Sequence, residues 1–448
     1  MGGPTELRSR VAGDLVVVLG AALVVRVGYL AAMVGRPPLS DADQYLDIAR
    51  NVSAGNGVAM QWPQLHVHAT AFRPPLYPVL LGGWINLLGD SPTVARALNV
   101  LIGLGVVALA TLFARILGGR VGGLVTGGLV AVYPPLLAND ATTLAEPLGL
   151  LLLLATLLAV SRRRWWAVGL AGGLLALTKP AAQGILVLLV VTAVALVAMS
   201  GGDRHWGRAA AAGGIVAATG AMVILPWVVR NRIELGTTSL VTSNGFTLAA
   251  IYAPVAQKQG SFLDPVYGSP YQSLDERLLR WDEGRWNDVL VERGLDGLRD
   301  RPSYLLRVVW GNLGRWFELT PAANDDAERL DGRHLRLRRL SLPLFYAVTV
   351  LGAAGLVVGL RTARPGRGTL ALLVATCGCF TLVSLALVAT PRLRAPVDLA
   401  CCVGCGLLAT WWRERRLLDP ARNSDECGLV ATHGVTSRRQ SPQRRATR

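Results

Sequence analysis

The residues with the most chemical capacity in this chain stand between its apolar blocks. The stretch "PPLSDADQYLDIARNVSAGNG", residues 37 to 57, carries Asp41, Asp43 and Asp47. Farther on come Arg73 in "FRPPLYP", Asp140 and Glu146 in "NDATTLAEPL", and Lys179 in "LALTKP". Arg230 and Asn231 follow in "LPWVVRNRIELG", then Arg392 and Arg394 in "TPRLRAPVD". A carboxylate takes the proton of an incoming hydroxyl, and cations hold a phosphate that departs with negative charge. Arginine or lysine at a helix end suits the second task, and an aspartate fixed on a short helix suits the first. Each residue alone also has a bland reading: basic groups at helix ends reach for lipid headgroups, and Ser40 or Asp41 would serve as a helix N-cap. Their number and common depth carry the argument, because charge close to hydrocarbon is costly and is kept where it pairs or lines a cavity.

That common depth follows from the elements that separate these residues. The chain has 448 residues, 52% hydrophobic and 17% charged, with a mean hydropathy of +0.41. Apolar blocks close to the ~20 residues that cross a bilayer as a helix run over 14–35, 97–117, 121–138, 145–161, 166–180, 182–200, 209–229, 341–360, 368–390 and 395–412. They predict an all-α, polytopic membrane bundle of about ten transmembrane helices. The formal charge of +16 is no sign of nucleic acid here, since arginines cluster beside the blocks in "SRRRWW", "GGDRHWGR", "RTARPGRG" and "WWRERR". Such clusters mark cytoplasmic loops. With the N-terminus inside, ten spans place all four clusters and both termini in the cytoplasm. The predicted organisation is a membrane domain over 1–412 and a disordered basic cytoplasmic tail over 413–448. The first block is long, carries Arg26 near its middle and lacks a small-x-small cleavage site, so it reads as an uncleaved anchor. Five of the six cysteines fall inside predicted spans, where they suit packing.

Two stretches, 36–95 and 230–340, fall between spans, and the alternation of sides puts both on the outer face. The first predicts two interfacial helices: Tyr45, Ile48, Ala49 and Val52 recur at helical intervals, and "PLYPVLLGGWINLLG" is too short to span. The second contains "LRDRPSYLLRVVWGNLGRWF" (298–317), a basic amphipathic helix suited to the membrane surface. The basic "RHLRLRR" (333–339) lies outside on this topology, against the positive-inside tendency; were 300–317 a span, everything after it would invert. On the same topology every polar residue named above lies at the outer boundary. That arrangement fits an enzyme using a lipid-linked phosphosugar. A secondary transporter, the alternative, would place charges mid-membrane and show internal repeats, whereas only Arg26 is mid-span. A lipid-linked glycan polymerase or ligase is the other alternative, with 230–340 as its acceptor loop.

No phosphate-binding glycine loop stands between a strand and a helix, so no nucleotide is expected. His66 and His68 in "QLHVHAT" read as surface or acceptor-contacting groups rather than the start of a metal site, and neither a metal nor another cofactor is expected. "GGRVGGLVTGG" (118–128) suits close helix packing, and "NVS" (51–53) is a formal glycosylation sequon only.

Taken in order, "SDADQYLDIARNVSAGNG", "RPPLYPVLLGGWINLLG", "YPPLLANDATTLAEPLGLLL", "GLAGGLLALTKP", "LPWVVRNRIELGTTSLVTSNGFTLA" and "PRLRAPVDLA" resemble the GT-C glycosyltransferases, in particular the family 39-like group of protein O-mannosyltransferases and lipid A aminoarabinose transferases. The resemblance covers about residues 13 to 410. It implies an inverting transfer of a sugar from a polyprenyl-phosphate donor to a hydroxyl of a cell-envelope lipid, glycan or protein, on the outer face of the cytoplasmic membrane. It makes Asp41, which opens an Asp-x-x-x-Tyr pattern, the catalytic base, with Asp43 as its understudy and Tyr45 beneath the site. Lys179, Arg230, Arg392 and Arg394 would hold the donor phosphate, and Arg73, Asp140, Glu146 and Asn231 would bind substrate or support the site. Lys179 stands where relatives more often have Arg, and Leu393 replaces the aromatic of the family's Arg-Tyr-x-x-Pro stretch. Asp41-Ala42 replaces the Asp-Glu of the O-mannosyltransferases, and no large soluble insertion is present, so transfer to protein Ser or Thr is not favoured.

Overall fold

The computed structural model describes residues 4–61, 67–200, 205–265, 283–363 and 366–417. His66 and most of the tail assigned to 413–448 lie outside the described residues. In hydrocarbon a backbone must satisfy its own hydrogen bonds, so apolar blocks of Leu, Val and Ala become helices. In chain order these are α1 (Pro4–Ala32), α2 (Asp41–Ser53), α3 (Leu76–Leu88), α4 (Pro92–Val132), α5 (Pro134–Asp140), α6 (Glu146–Ser161), α7 (Trp165–Ala176), α8 (Ile185–Ala198) and α9 (His205–Leu235). After them come α10 (Ser243–Tyr252), α11 (Pro254–Gln259), α12 (Glu283–Asp300), α13 (Tyr304–Trp316), α14 (Pro321–Leu330), α15 (Leu335–Thr362), α16 (Arg367–Ala386) and α17 (Ala395–Leu417). Strands β1 (Ala59–Gln61) and β2 (Val67–Ala69) pair antiparallel, with Ala59 opposite Ala69.

Among the described residues, seven helices are long and apolar enough to cross a membrane. One of them, α4, is two arms. Its backbone leaves helical geometry at Gly118 and at Gly119, where φ is 62°, a conformation that glycine adopts without a Cβ penalty. The arms then fold back on each other, bringing Gly122 against Ala114, Gly123 against Arg115 and Gly127 against Thr111. All ten apolar blocks are therefore helical, but α6 and α7 are shorter than the sequence predicts, with 16 and 12 residues. At ~1.5 Å per residue they fall short of a ~30 Å hydrocarbon core. The reason is local: α7 is stopped by Lys179-Pro180 and α6 starts at Glu146, and both stops face a large cavity, where irregular backbone is tolerated.

The bundle has two chemically distinct ends. At one, Gly118 and Gly122 meet Thr410, Leu117 meets Gly366, and Leu196 meets Gly368. Asp14 pairs there with Arg115 at 2.6 Å and Arg120 at 2.8 Å. The first turns of α1, the bend in α4 and the last turns of α17 thus share this end with the basic α15–α16 turn. The described residues within 36–91 and 236–334 gather at the other end, where Ile48, Met60 and Phe72 share a core with Ala249, Trp286 and Leu290.

In α2, Tyr45, Leu46, Ile48 and Ala49 are buried while Asp43 and Arg50 are exposed, and Gly82 of α3 packs against Ala49 and Val52. Helix α13 has 13 residues and packs against the end of α16, where the Asn312 side chain donates to the Leu385 and Leu387 carbonyls, and it exposes Leu306 and Trp310. Helices α15 and α17 touch backbone to backbone: Gly352 meets Cys401, and a Cβ on Gly355 would stand 1.8 Å from the Gly404 carbonyl oxygen.

Candidate active site

Asp41 is the first residue of α2, and it does not cap that helix. Ser40 before it has a φ of 51° and its side chain makes no cap hydrogen bond, a backbone state that a non-glycine residue adopts rarely and that tends to persist at functional sites. The Asp41 carboxylate instead accepts from Arg73 and from Arg392, one guanidinium on each oxygen. Arg73, in the turn before α3, is steadied by Gln44, whose side-chain oxygen accepts from its Nε at 2.8 Å. Its guanidinium also lies 5.7 Å from the Tyr45 ring and 5.1 Å from the Phe72 ring. Tyr45 is buried edge-on against Tyr77, with ring centroids 5.3 Å apart.

Arg392 comes from the Pro391–Arg394 turn that leads into α17. Besides Asp41 it reaches Asp331 at 2.7 Å, and its Nε is 4.0 Å from Glu146. Glu146 opens α6 and accepts from Lys179 Nζ at 2.7 Å. Lys179 is held near the loops because the Leu76 N–H donates to the Leu177 carbonyl at 3.1 Å. Six segments thus deliver three acids and three bases that alternate in space. Fully ionised, the cluster is neutral.

Burial works against the charge on Asp41, but the Arg73 and Arg392 guanidiniums outweigh it and hold the carboxyl well below the usual carboxylate range. For Asp331 burial dominates and pushes the carboxyl up to about 6, although Arg392 and Arg333 pull the other way. Glu146, Lys179, Asp331, Arg392, Asp41 and Arg73 line a cavity of about 1160 Å³, larger than the ~300–1,000 Å³ that one small ligand fills. One wall is apolar, with Leu150, Leu153, Leu175, Phe380, Val383 and Leu387. Another is mixed, with Ser243, Asn244, Phe246 and Phe262 beside Arg307 and Arg315.

Several residues singled out in the sequence stand elsewhere. Asp43 is exposed on α2 and does not line the cavity. The Arg230 guanidinium donates to the carbonyls of Thr70 and Val58 at 2.8 Å and pairs with Glu234 at 2.7 Å, so it clamps the β1–β2 hairpin instead of facing the cavity. Asn231 donates to the Ser239 carbonyl and is buried. Asp140 is buried against Arg26, 2.9 Å away, which gives the mid-span arginine its partner. Arg394 is buried with Asp398 and Glu318 and lies over the Phe345 ring. Apart from the exposed Asp43, each of these polar groups is consumed by a backbone carbonyl or an opposite charge nearer to hand. Sequence reasoning passed over Asp331, Gln44, Arg307 and Arg315. Asp331 is the acid of "LDGRH", followed by Gly332 at a φ of 71°, and that turn was its one local signal.

His68 lies 3.7 Å from Glu283, on the hairpin. Among the described residues no group of three or more His, Cys, Asp or Glu is arranged to hold a metal ion. The cavity acids each face a lysine or arginine, which opposes a divalent cation.

No family model matches the chain, and no match is found among curated proteins. Solved structures do match. The archaeal oligosaccharyltransferase AglB from Archaeoglobus fulgidus, in complex with an inhibitory peptide and a dolichol-phosphate, is similar over 96% of this chain and 53% of its own, with 14% identity and a TM-score of 0.55. The A. fulgidus oligosaccharyltransferase in complex with Zn and sulfate matches over 94% of this chain and 51% of its own, with 14% identity and a TM-score of 0.51. ArnT from Cupriavidus metallidurans bound to undecaprenyl phosphate matches over 97% and 82%, with 17% identity and a TM-score of 0.37. The chain spans about half the length of the oligosaccharyltransferases it matches. What the two A. fulgidus structures share with it is the fold, a helical membrane bundle of the GT-C type. It is a multi-pass membrane protein.

Proposed function

We propose that the protein is an inverting glycosyltransferase that moves a sugar from a polyprenyl-phosphate donor to an acceptor hydroxyl. The observation that carries this reading is Asp41, gripped by Arg73 and Arg392 in a cavity large enough for two substrates and apolar along one wall. A polyprenyl chain fits that wall, and its phosphate falls among Lys179, Arg392 and Arg73. AglB, which shares the fold, is described in complex with a dolichol-phosphate.

As it stands, Asp41 is too weak a base, since two cations stabilise its charge. A bound phosphate competes for the same guanidiniums, and each one it draws away raises the proton affinity of Asp41. The acceptor oxygen then attacks the anomeric carbon from the side opposite the phosphate. Its O–H proton passes to Asp41, the new C–O bond forms, and the bond from carbon to phosphate oxygen breaks with its electron pair leaving on the phosphate. Lys179 and Arg392 stabilise that charge. Glu146 and Asp331 keep the two cations in place and balance their charge before donor binds. No step runs through a metal.

The arginine-rich end of the bundle reads as cytoplasmic, which puts both termini inside and the cavity at the outer face of the membrane. The experiment is sugar transfer by membranes containing the wild type, Asp41→Asn or Asp43→Asn, given a panel of radiolabelled polyprenyl-phosphate sugars and native lipid extract. Loss of transfer in Asp41→Asn alone, at normal expression, supports the reading. Transfer untouched by Asp41→Asn, or solute uptake into vesicles without transfer from any donor, sinks it.

A further inference from the structure

The mixed wall of the cavity holds cations of a different kind. Arg307, Gly311 and Arg315 recur every four residues along α13, which puts them on one face, and all three line the cavity. Neither guanidinium has an ion pair or a side-chain hydrogen bond among the described residues; Arg307 lies only 6.0 Å from the Tyr304 ring. Arg73, Lys179 and Arg392 are each neutralised by a carboxylate, so Arg307 and Arg315 bring charge that the cavity does not balance. Asp326, the acid on this wall, is already paired with Arg329 at 2.8 Å. Between the two arginines, a Cβ on Gly311 would meet nothing within 4 Å. The arginines stand about 12 Å apart along the helix axis, within joint reach of one phosphate over the open glycine.

The flank of α13 next to the arginines, where Trp310 also lines the cavity, bears on the depth. Leu306 and Trp310 are 71% and 79% exposed beside these arginines, a combination that lays a basic amphipathic helix at the headgroup level of a bilayer. A ligand reaching Arg307 and Arg315 therefore comes out of the membrane surface.

We propose that this face of α13 anchors the acceptor: a phosphate-bearing membrane lipid or lipid-linked glycan whose phosphate sits between Arg307 and Arg315 while its hydroxyl reaches Asp41. The inference rests on the glycosyl-transfer reading for the reaction itself. The donor cannot be the occupant on this reading, because its phosphate is one bond from the anomeric carbon and must lie with Lys179 and Arg392 beside Asp41. Ser243, Asn244 and the rings of Phe246 and Phe262 continue the same wall and offer the hydrogen bonds and flat apolar faces that a sugar needs.

The test is equilibrium binding to the purified full chain in neutral detergent, which requires no turnover. Fluorescent dioleoyl phosphatidic acid, the matching phosphatidylcholine and undecaprenyl phosphate are titrated against the wild type, Arg315→Gln, Arg307→Gln/Arg315→Gln and Arg307→Lys/Arg315→Lys. The wild type is expected to prefer phosphatidic acid to phosphatidylcholine, and the double Gln variant to bind phosphatidic acid about tenfold or more weakly, the size of a lost charge-assisted contact. The double Lys variant should keep most of the affinity, and undecaprenyl phosphate should change less than about twofold. Equal loss for both phosphates would hand the pair to the donor and overturn the proposal, as would unchanged binding of phosphatidic acid. If the double Gln variant does not fold, Arg315→Gln is judged by the same two criteria. Should binding behave as stated while no donor supports transfer, the reaction reading fails and the anion site stands.

Discussion

Arg392 and Asp41 stand 351 residues apart in the chain and meet as an ion pair in the cavity. The pair ties the turn before the last helix to the first residue of the first loop helix. Because the same guanidinium also serves Asp331 and Glu146, Arg392 is the hub through which a bound phosphate reaches Asp41.

Replacing that hub separates its two roles. Arg392→Gln is expected to lower kcat by roughly 10²–10³-fold through lost stabilisation of the departing phosphate. It also removes one of the three cations, with Arg73 and Lys179, that depress the Asp41 carboxyl, so the acid limb of the kcat–pH profile should move to higher pH. A rate within tenfold of wild type, with an unmoved limb, would take Arg392 out of the reaction.

Asp331 gives a stability signature of defined sign. Its carboxyl is raised from 3.8 to about 6 in the fold, so the folded chain binds this proton more tightly than the unfolded one. The contribution is full below pH ~3.8 and is lost as pH rises through ~6. The Tm of Asp331→Asn, measured against wild type in detergent, should therefore improve from pH 4 to pH 7. A difference that stays flat with pH, or falls, would show that burial does not raise this carboxyl.

The Arg26–Asp140 pair is buried on both sides. Either Arg26→Leu or Asp140→Leu strands a charge and should cost about 3–5 kcal/mol of stability, whereas the double replacement should recover much of that. Thermal unfolding of the three variants reads the cycle. If the double variant is no more stable than the singles, the pair is not what matters at these positions.

Arg230 and Lys179 were grouped together by sequence and should now part company. Lys179→Ala is expected to weaken undecaprenyl phosphate binding by roughly tenfold. Arg230→Ala should leave that affinity within about twofold while hydrogen exchange quickens over the 58–70 hairpin it clamps. Equal weakening by both would return Arg230 to the donor site.

What the sequence showed, and what it hid, follows from range. The helices were legible because apolar length is a local property: the break at Gly118-Gly119 separated two blocks, and the structure bends there. Span counting put Asp41, Arg73, Glu146, Lys179 and Arg392 at one boundary, and the structure brings these five together in one cluster. Whether a boundary residue faces the cavity is set by its nearest partner in space. Thus Asp140 goes to Arg26, 114 residues away, and Arg394 to Asp398, four away. Asp331 had the opposite fate, an acid in the polar run "NDDAERLDGRH" without any apolar period to orient it, yet one that Arg392 recruits from 61 residues off.

The glycine contacts between α15 and α17 have a mechanical consequence. Asp331 lies four residues before α15, and Arg392 three before α17. Where two helices meet main chain to main chain, no side-chain layer remains to slide, and Gly352, Gly355 and Gly404 rivet them into one plank. Asp331 and Arg392 then ride on a single strut as fixed jaws.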